Sequence, residues 1–470
     1  MMKYFTFKYR YIVILAAAFM VSSCQLGKHY TRPEMNLPER LDSISMDTTS
    51  MADYPWEELY TDTTLQALIR KTLEYNKDML IAASRVKELA AMKRIDWANI
   101  FPSIGVKAYA EKEGENYGGN KYKPSNEFDL KAGISWELDL WGNLRWARDK
   151  SMADFMKSIE NQKAVKMSLV AQMAQSYFEL VALDNELAIV KKTVEARRES
   201  LRLARLRYEG GLTNETVFRQ AQVELARTAT LVPDLEKKIA IKENEIAFLT
   251  GEYPHHINRS VLTEDVLLPA SLPAGLPSSL LERRPDVRMA EQSLIAANAA
   301  VGMAFTNLFP RLTLTASAGS ESGELADILK SPYHLLSGTL LAPVFAMGKN
   351  RAALKAKKAA YEQAVYSYEK TVINAFKDAR NAIVEFNKTR EIYETRLRLE
   401  QASRSALDLA ELQYISGAIG YLDLLDAQRG YLDAQIGLSN AIRDKQITLV
   451  NLYKALGGGW QESGNAVQTE

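Results

Sequence analysis

The sequence predicts an α+β membrane protein assembled from one structural unit used twice. Three observations predict it: an internal repeat, strand-like alternation in each half, and helices far longer than a globular core requires. "FPSIGVKAYA" from Phe101 is echoed by "FPRLTLTASA" from Phe309, an offset of 208. Asp78 and Asn99 match Asp286 and Asn307 at that offset, while Gly142, Tyr208, Gly211, Gln222 and Gly251 match Gly348, Tyr414, Gly417, Gln428 and Gly457 at 206. A period this long marks a duplicated domain and not a solenoid. The two-residue difference falls after Phe309, where a hairpin loop belongs.

The helices come next. From Gly142 to Tyr208 there is no proline, and the next glycines are Gly210 and Gly211. An uninterrupted helix there would run for about 65 residues, or roughly 100 Å at 1.5 Å per residue. Met173, Leu180, Leu187, Val194, Leu201 and Tyr208 stand seven apart, a period that implies coiled-coil packing. The returning helix carries Leu225, Val232, Ile239 and Ile246 at the same spacing, and Pro233 should bend it. The second half repeats the stripe less strictly at Phe386, Tyr393, Leu407 and Tyr414, with Glu400 breaking the series. Most of these positions read simply as core.

The strands carry a period of two. Phe128, Leu130, Ala132, Ile134, Trp136 and Leu138 alternate with Asp129, Lys131, Gly133, Ser135 and Glu137, and Leu312, Leu314 and Ala316 do the same against Arg311, Thr313 and Thr315. One apolar and one polar face fit either a half-buried soluble sheet or a membrane barrel with a wet lumen. Four strands per chain are too few for a barrel, which needs about eight. With the helices committed to coiled coils, nothing remains to cover an apolar sheet face. Strands from several identical chains must then close one barrel, and three chains would give twelve.

The ends and the charge narrow the class. The chain opens with Lys3, Lys8 and Arg10, then an apolar run from Tyr11 and small residues, the layout of an export signal too short to span a membrane. Val21-Ser22-Ser23-Cys24 resembles the bacterial lipobox, whose cysteine becomes an acylated N-terminus. Cys24 is the single cysteine, so no internal disulfide can form. Gln25 after it favours the outer membrane, by resemblance to known lipoproteins. A net charge of +1 removes the electrostatic case for nucleic acid. The four histidines, His29, His255, His256 and His334, show no metal-ligand spacing, and phosphate-loop and dinucleotide patterns are absent. The expectation is no enzyme, no metal and no cofactor, with any energy for transport coming from a partner.

Longer motifs point to a family. "LPAGLPSSLLERRPDV" (272–287), "LRYEGGLT" (206–213), "LQYISGAIGYLDLLDAQR" (412–429) and "NLYKALGGGW" (451–460) resemble segments of the TolC-type outer-membrane efflux proteins, in the lipoprotein branch that serves tripartite RND-type multidrug pumps. The resemblance runs from Cys24 to about Trp460. It implies a homotrimer with a 12-stranded β-barrel in the outer membrane and a 12-helix periplasmic tunnel. Implied partners are a periplasmic adaptor, an inner-membrane RND-type pump and outer-membrane lipid. The implied function is an exit channel for small molecules; a duct for type I protein secretion is the alternative within the class. A periplasmic coiled-coil scaffold would leave the amphipathic strands without purpose, and a carboxylate hydrolase would have no pocket-forming domain.

On this reading residues 1–23 are a signal peptide and 24–60 a lipid-anchored extended segment. Repeat 1 covers 61–250, with strands near 102–112 and 127–138, a long helix 142–208, a tip 209–214 and a helix 215–250. A linker 251–278 leads to repeat 2 at 279–458, with strands near 310–319 and 335–345, a helix 349–414, a tip 415–420 and a helix 421–457. A tail follows at 459–470.

Two groups of residues are candidates for function. Gly210, Gly211, Gly417 and Gly420 break the helices, as hairpins between antiparallel helices require. By resemblance, Arg207, Tyr208, Gly211, Leu212, Thr213, Tyr414, Ser416, Gly417 and Ala418 form tips that dock an adaptor. Asp423, Asp426 and Arg429 lie three apart just after the second tip. A solvated face with Asp426 paired to Arg429 would account for them in a monomer. In a trimer with the stripe turned inward, six carboxylates would ring one axis, selecting cations and repelling anions. By resemblance the two acids match the family's periplasmic constriction, with Leu422 and Arg429 as neighbouring gate residues.

Overall fold

The computed structural model describes residues 25–38, 50–115, 123–260, 277–343, 345 and 347–461. The export signal and Cys24 lie outside the described residues, as do most of the linker and the tail. Repeat 1 comprises α1 (Thr63–Tyr75), α2 (Lys77–Ala98), β1 (Ser103–Glu115), β2 (Lys123–Leu138), α3 (Asn143–Glu209), α4 (Glu215–Ala229) and α5 (Leu231–Leu249). Repeat 2 comprises α6 (Pro277–Arg283), α7 (Pro285–Thr306), β3 (Arg311–Ser322), β4 (Pro332–Leu341), α8 (Lys349–Ile415) and α9 (Tyr421–Ala455). The duplication is visible in the lengths: α2 and α7 have 22 residues each, and α3 and α8 have 67 each.

The differences from the sequence reading have local causes. The helix read over 215–250 is two helices meeting at Thr230, because Pro233 has no N–H for the Ala229 carbonyl and its ring crowds that group. Its counterpart α9 has no proline and runs unbroken for 35 residues. The fourth strand, read near 335–345, starts earlier at Pro332, and a 3-10 turn, Leu325–Lys330, precedes it.

The chain divides into two compact units. The first, from 1–35, 85–159 and 289–370, holds a four-stranded antiparallel sheet in the order β1-β2-β3-β4. Its register puts Ile104 opposite Ile134 and Ile134 opposite Ala316, which lies opposite Leu336. Residues of one parity therefore share a face, and that face is apolar and uncovered: Ile104 is 77% exposed, Val106 75% and Leu336 82%. Lys107, Asp129, Lys131, Glu137, Thr313, Thr315 and Ser337 lie on the other. A soluble sheet would hide the apolar face; here it faces out, as lipid requires. No helix among the described residues is long and apolar enough to cross a membrane.

In the same unit the N-terminal segment is fastened along its length. Gln25 donates to Asp149 (2.9 Å), the Trp146 indole donates to the Leu26 carbonyl (2.8 Å), and Asn298 donates to the Lys28 carbonyl (3.1 Å). Arg32 then forks onto Glu291 at 2.7 and 2.9 Å, beside the Tyr30 hydroxyl at 3.1 Å. Trp146 is 3% exposed, wedged where Gly302 has no side chain.

The second unit, from 36–84, 160–288 and 371–470, carries the main core. Met173 and Leu180 of the seven-residue stripe are fully buried, together with Leu65 and Ile69 of α1, Ile246 of α5 and Val450 of α9. Asn76 donates to the Leu249 carbonyl (2.9 Å), and Tyr453 to the Tyr54 carbonyl (2.6 Å), tying the helix ends of this unit together.

Candidate functional site

Both helical hairpins of the second unit turn in the same way. At the end of α3 the Leu212 amide donates to the Arg207 carbonyl (2.8 Å) and the Gly211 amide to the Tyr208 carbonyl (2.9 Å). At the end of α8 the Ala418 amide donates to Gln413 (2.8 Å) and Gly417 to Tyr414 (3.2 Å). These paired bonds satisfy carbonyls that a helix end leaves orphaned, and they require a left-handed residue. Gly211 at φ +72° and Gly417 at φ +77° supply it without a Cβ clash. Glycines were legible in the sequence at both turns for this reason.

The residues beyond the turns are presented outward. Leu212 is 78% exposed, and Ser416, Gly417 and Ala418 are exposed with it, while Thr213 is half-buried. Aromatic contacts hold the base of each tip. Tyr208 stacks on Phe218 at 5.8 Å, Tyr414 meets Tyr421 edge-on at 6.0 Å, and the Arg207 guanidinium lies 5.0 Å from the Tyr414 ring. Between the ends of α3 and α8 and the start of α9 lies a cavity of about 350 Å³, walled by Leu203, Leu206, Arg207, Tyr414, Ile415 and Leu424.

The start of α9 splits into two faces. Tyr421, Leu424 and Leu425 are buried, packing with Ala204 of α3 and Ala221 of α4. Leu422, Asp423 and Asp426 face away from that core, with Leu422 60% exposed, and Arg429 lies at the edge of this stripe. Asp423 has a local task as well, since its carboxylate accepts the Gly420 amide at 3.0 Å. Gly420 has no side chain to cap α9, and Asp423, three residues on, does so instead, in the favourable field of a helix N-terminus.

Arg429 differs from the simplest expectation. Its guanidinium pairs with Glu224 of α4, with Nε 3.2 Å from Oε2 and a closer contact from Nη2 to Oε1. Asp426 acts on it through space. Glu224 is 3% exposed, so its charge has no water and must be met by the protein. The Arg429 hydrogen bonds hold the Glu224 carboxyl below the usual range against the opposing effect of burial, and Arg197 and Arg227 add to the lowering. Arg197, also buried, donates to Gln428 on α9, and burial lowers its pKa. A charged cluster of α3, α4 and α9 therefore lies beneath the carboxylate stripe. In the sequence Gln428 stands out only as a repeat position, and Glu224 and Arg197 carry no signal.

Among the described residues no group of three or more His, Cys, Asp or Glu is placed to hold a metal ion.

A family model described as "Outer membrane efflux protein" matches residues 68–252 and 276–458. The cation efflux system protein CusC of Escherichia coli is 28% identical over 451 residues, covering 95% of this chain and 98% of its own. The toluene efflux pump outer membrane protein TtgC of Pseudomonas putida is 29% identical, with 97% of each covered. Among solved structures, the outer-membrane channel OprN superposes with a TM-score of 0.86 at 28% identity, covering 93% of this chain and all of that one.

Proposed function

The chain belongs to the outer membrane efflux protein family, and from that premise we propose that its hairpin tips dock a periplasmic adaptor and that the stripe on α9 is a periplasmic gate. The protein is an outer-membrane efflux channel, a trimer whose strands close a twelve-stranded barrel and whose helices form a tunnel into the periplasm. An uncovered apolar sheet face is what such a barrel needs from each chain.

The observation that carries the gate is the split of α9. One face packs on α3 and α4, the other presents Leu422, Asp423 and Asp426 to whatever lies beyond the protomer, and Arg429 at its edge turns back to Glu224 of α4. Under threefold symmetry, acids on that face form a ring of six around the axis. Such a ring favours cations, and a leucine beside it narrows the passage. The Arg429 to Glu224 pair is the latch: it joins the gate helix to α4, and its loss strands a buried carboxylate.

The tips carry the docking reading. Arg207, Tyr208, Gly211, Leu212, Thr213, Tyr414, Ser416, Gly417 and Ala418 cluster on the two matched turns, and the apolar cavity beside them accepts side chains of a helical hairpin. An adaptor seated there would pull α8 and α9 relative to α4 and strain the latch. Energy comes from an inner-membrane RND-type pump, and the channel conducts passively, without catalysis or cofactor. Acylation of Cys24 would anchor the chain, and the fastened segment from Gln25 onward would hold that anchor against its own unit. The relatives named for cations and toluene support small-molecule export over protein secretion.

Cysteines placed at Thr213 and Ala418 test the docking. Cross-linking in living cells should capture a periplasmic adaptor from both positions; capture from neither would remove the tips from the interface.

A further inference from the structure

The sheet of the first unit has two unpaired edges, β1 on one side and β4 on the other. In lipid an open edge leaves N–H and C=O groups with no water to satisfy them. The twelve-stranded barrel removes both edges by seating β4 of one copy on β1 of the next, a head-to-tail contact that closes after three copies. The internal repeat carries the register of that seam. Residues of β3 follow their β1 counterparts by 208, and residues of β4 follow their β2 counterparts by 206. The strand pairing inside the chain obeys the repeat: Ser103 lies opposite Ser135, and their counterparts Arg311 and Leu341 lie opposite each other. The junction of β2 with β3 then has a counterpart of its own, β4 against β1 of a neighbouring copy. Ile134 opposite Ala316 becomes Leu340 opposite Ala108, and Gly133 opposite Ser317 becomes Thr339 opposite Tyr109.

We propose that the seam between copies has this register, from Leu336 opposite Lys112 of the neighbouring copy to Ala342 opposite its Val106; the proposal rests on the trimeric barrel. Two features of the single chain favour it. First, β2 continues past Ser135 through Trp136, Glu137 and Leu138, which pair with β3 alone. β4 ends at Leu341, the counterpart of Ser135, so the stretch from Ala342 lacks only the strand that the next copy brings. Second, the side chains match across the seam as they do within the chain. Leu340 meets Ala108 on the lipid face as Ile134 meets Ala316. On the lumen face Lys131 lies opposite Gly319, where an added Cβ would run into the Leu130 carbonyl. At the seam the small residue changes strand, and Ser337 lies opposite Glu111. A slip of one residue would turn Leu336 and Leu340 into the lumen. A slip of two keeps the faces but departs from the repeat.

The test uses full-length protein in outer membranes carrying two cysteines per chain: Leu340→Cys with Ala108→Cys on the lipid face, and Thr339→Cys with Tyr109→Cys on the lumen face. Successive pairs alternate between hydrogen-bonded and closer non-hydrogen-bonded geometry, so one of the two has the shorter separation. Controls are shifted by two residues: Leu340→Cys with Val106→Cys or Ala110→Cys, and Thr339→Cys with Lys107→Cys or Glu111→Cys. Directly opposite Cβ atoms lie within reach of a disulfide and diagonal ones do not. Under mild oxidation the better in-register pair should give covalent dimers and trimers on heated non-reducing gels, at least about tenfold more than any shifted pair. Gly338→Cys with Ala110→Cys, on the same face as Leu340 with Ala108, stands in if that pair fails to assemble. The heat-labile trimer band of unheated samples reports the barrel separately. Its absence from the parent would remove the barrel and the seam together. Intact trimers that link best through a shifted pair, or through none of the in-register pairs, would overturn the register alone.

Discussion

Arg429 of α9 reaches across to Glu224 of α4, and the carboxylate it meets is almost wholly shielded from water. Arg429→Ala would leave that charge facing only Arg197 and Arg227. The half-exposed guanidinium is partly screened, so the penalty is below that of a fully buried pair, on the order of 2 kcal/mol. If the pair holds the closed state alone, its loss shifts the equilibrium toward opening by roughly thirtyfold. Single-channel recording of Arg429→Ala should show longer openings, and Arg429→Lys should fall between it and the parent because one donor replaces a fork.

The same pair sets a pH dependence. Glu224 is held below its ordinary pKa, so the folded state binds fewer protons there than the unfolded state does. The stabilisation is present above the unfolded value of about 4.3 and is lost as pH falls through the lower folded one. Where opening breaks this pair, the open state takes the place of the unfolded one, so channel opening should rise with acidification below about pH 4.3, and Glu224→Gln should flatten that part of the profile. Conductance recorded from pH 7 to pH 3 checks both.

Two glycines near the gate should respond in opposite directions. Gly417→Ala places a Cβ at φ +77° and costs about 1 to 2 kcal/mol at the tip. Gly430 lies within α9, is exposed, and has nothing within 4 Å of an added Cβ. Gly430→Ala should thus stabilise the helix by about 0.8 kcal/mol. Amide exchange across residues 411–430 should speed up in the first variant and slow down in the second.

In the first unit, Trp146 is the peg of the N-terminal segment. Trp146→Ala removes the indole donor to Leu26 and the ring beside His29, whose imidazole lies tilted against it at 5.3 Å between centroids. A cavity of that size costs about 3 to 5 kcal/mol. Proteolysis near Lys28 in outer-membrane preparations should become rapid, while Arg32→Ala, which loses an exposed pair to Glu291, should change it little.

The legibility of this protein in its sequence follows the range of the interactions. Alternation along β2 and the seven-residue stripe in α3 are set by neighbours on one element, and the repeat offers each signal twice. The left-handed turns at Gly211 and Gly417 are equally local. Pro233 announced a bend, though its position at Thr230 depends on which carbonyl it crowds. The partner of Arg429 was hidden because Asp426 stands one helical turn away in sequence, whereas Glu224 lies on another helix and prevails by being buried. The fastening of residues 25–32 was hidden likewise, since Asp149, Trp146, Glu291 and Asn298 are distant in sequence and have no pattern of their own. The turn at Leu325–Lys330 carried no periodicity to read.

The acid stripe itself is tested most directly by single-channel conductance and ion selectivity of Asp423→Ala combined with Asp426→Ala. Asp423→Ala also removes the cap on Gly420, so Asp423→Asn, which keeps an acceptor for that amide while losing the charge, separates the two roles. The double variant should conduct at least several times more than the parent and lose its preference for cations, and Asp423→Asn with Asp426→Asn should lose the preference with the tip intact. Unchanged conductance together with unchanged cation preference in both would contradict the gate.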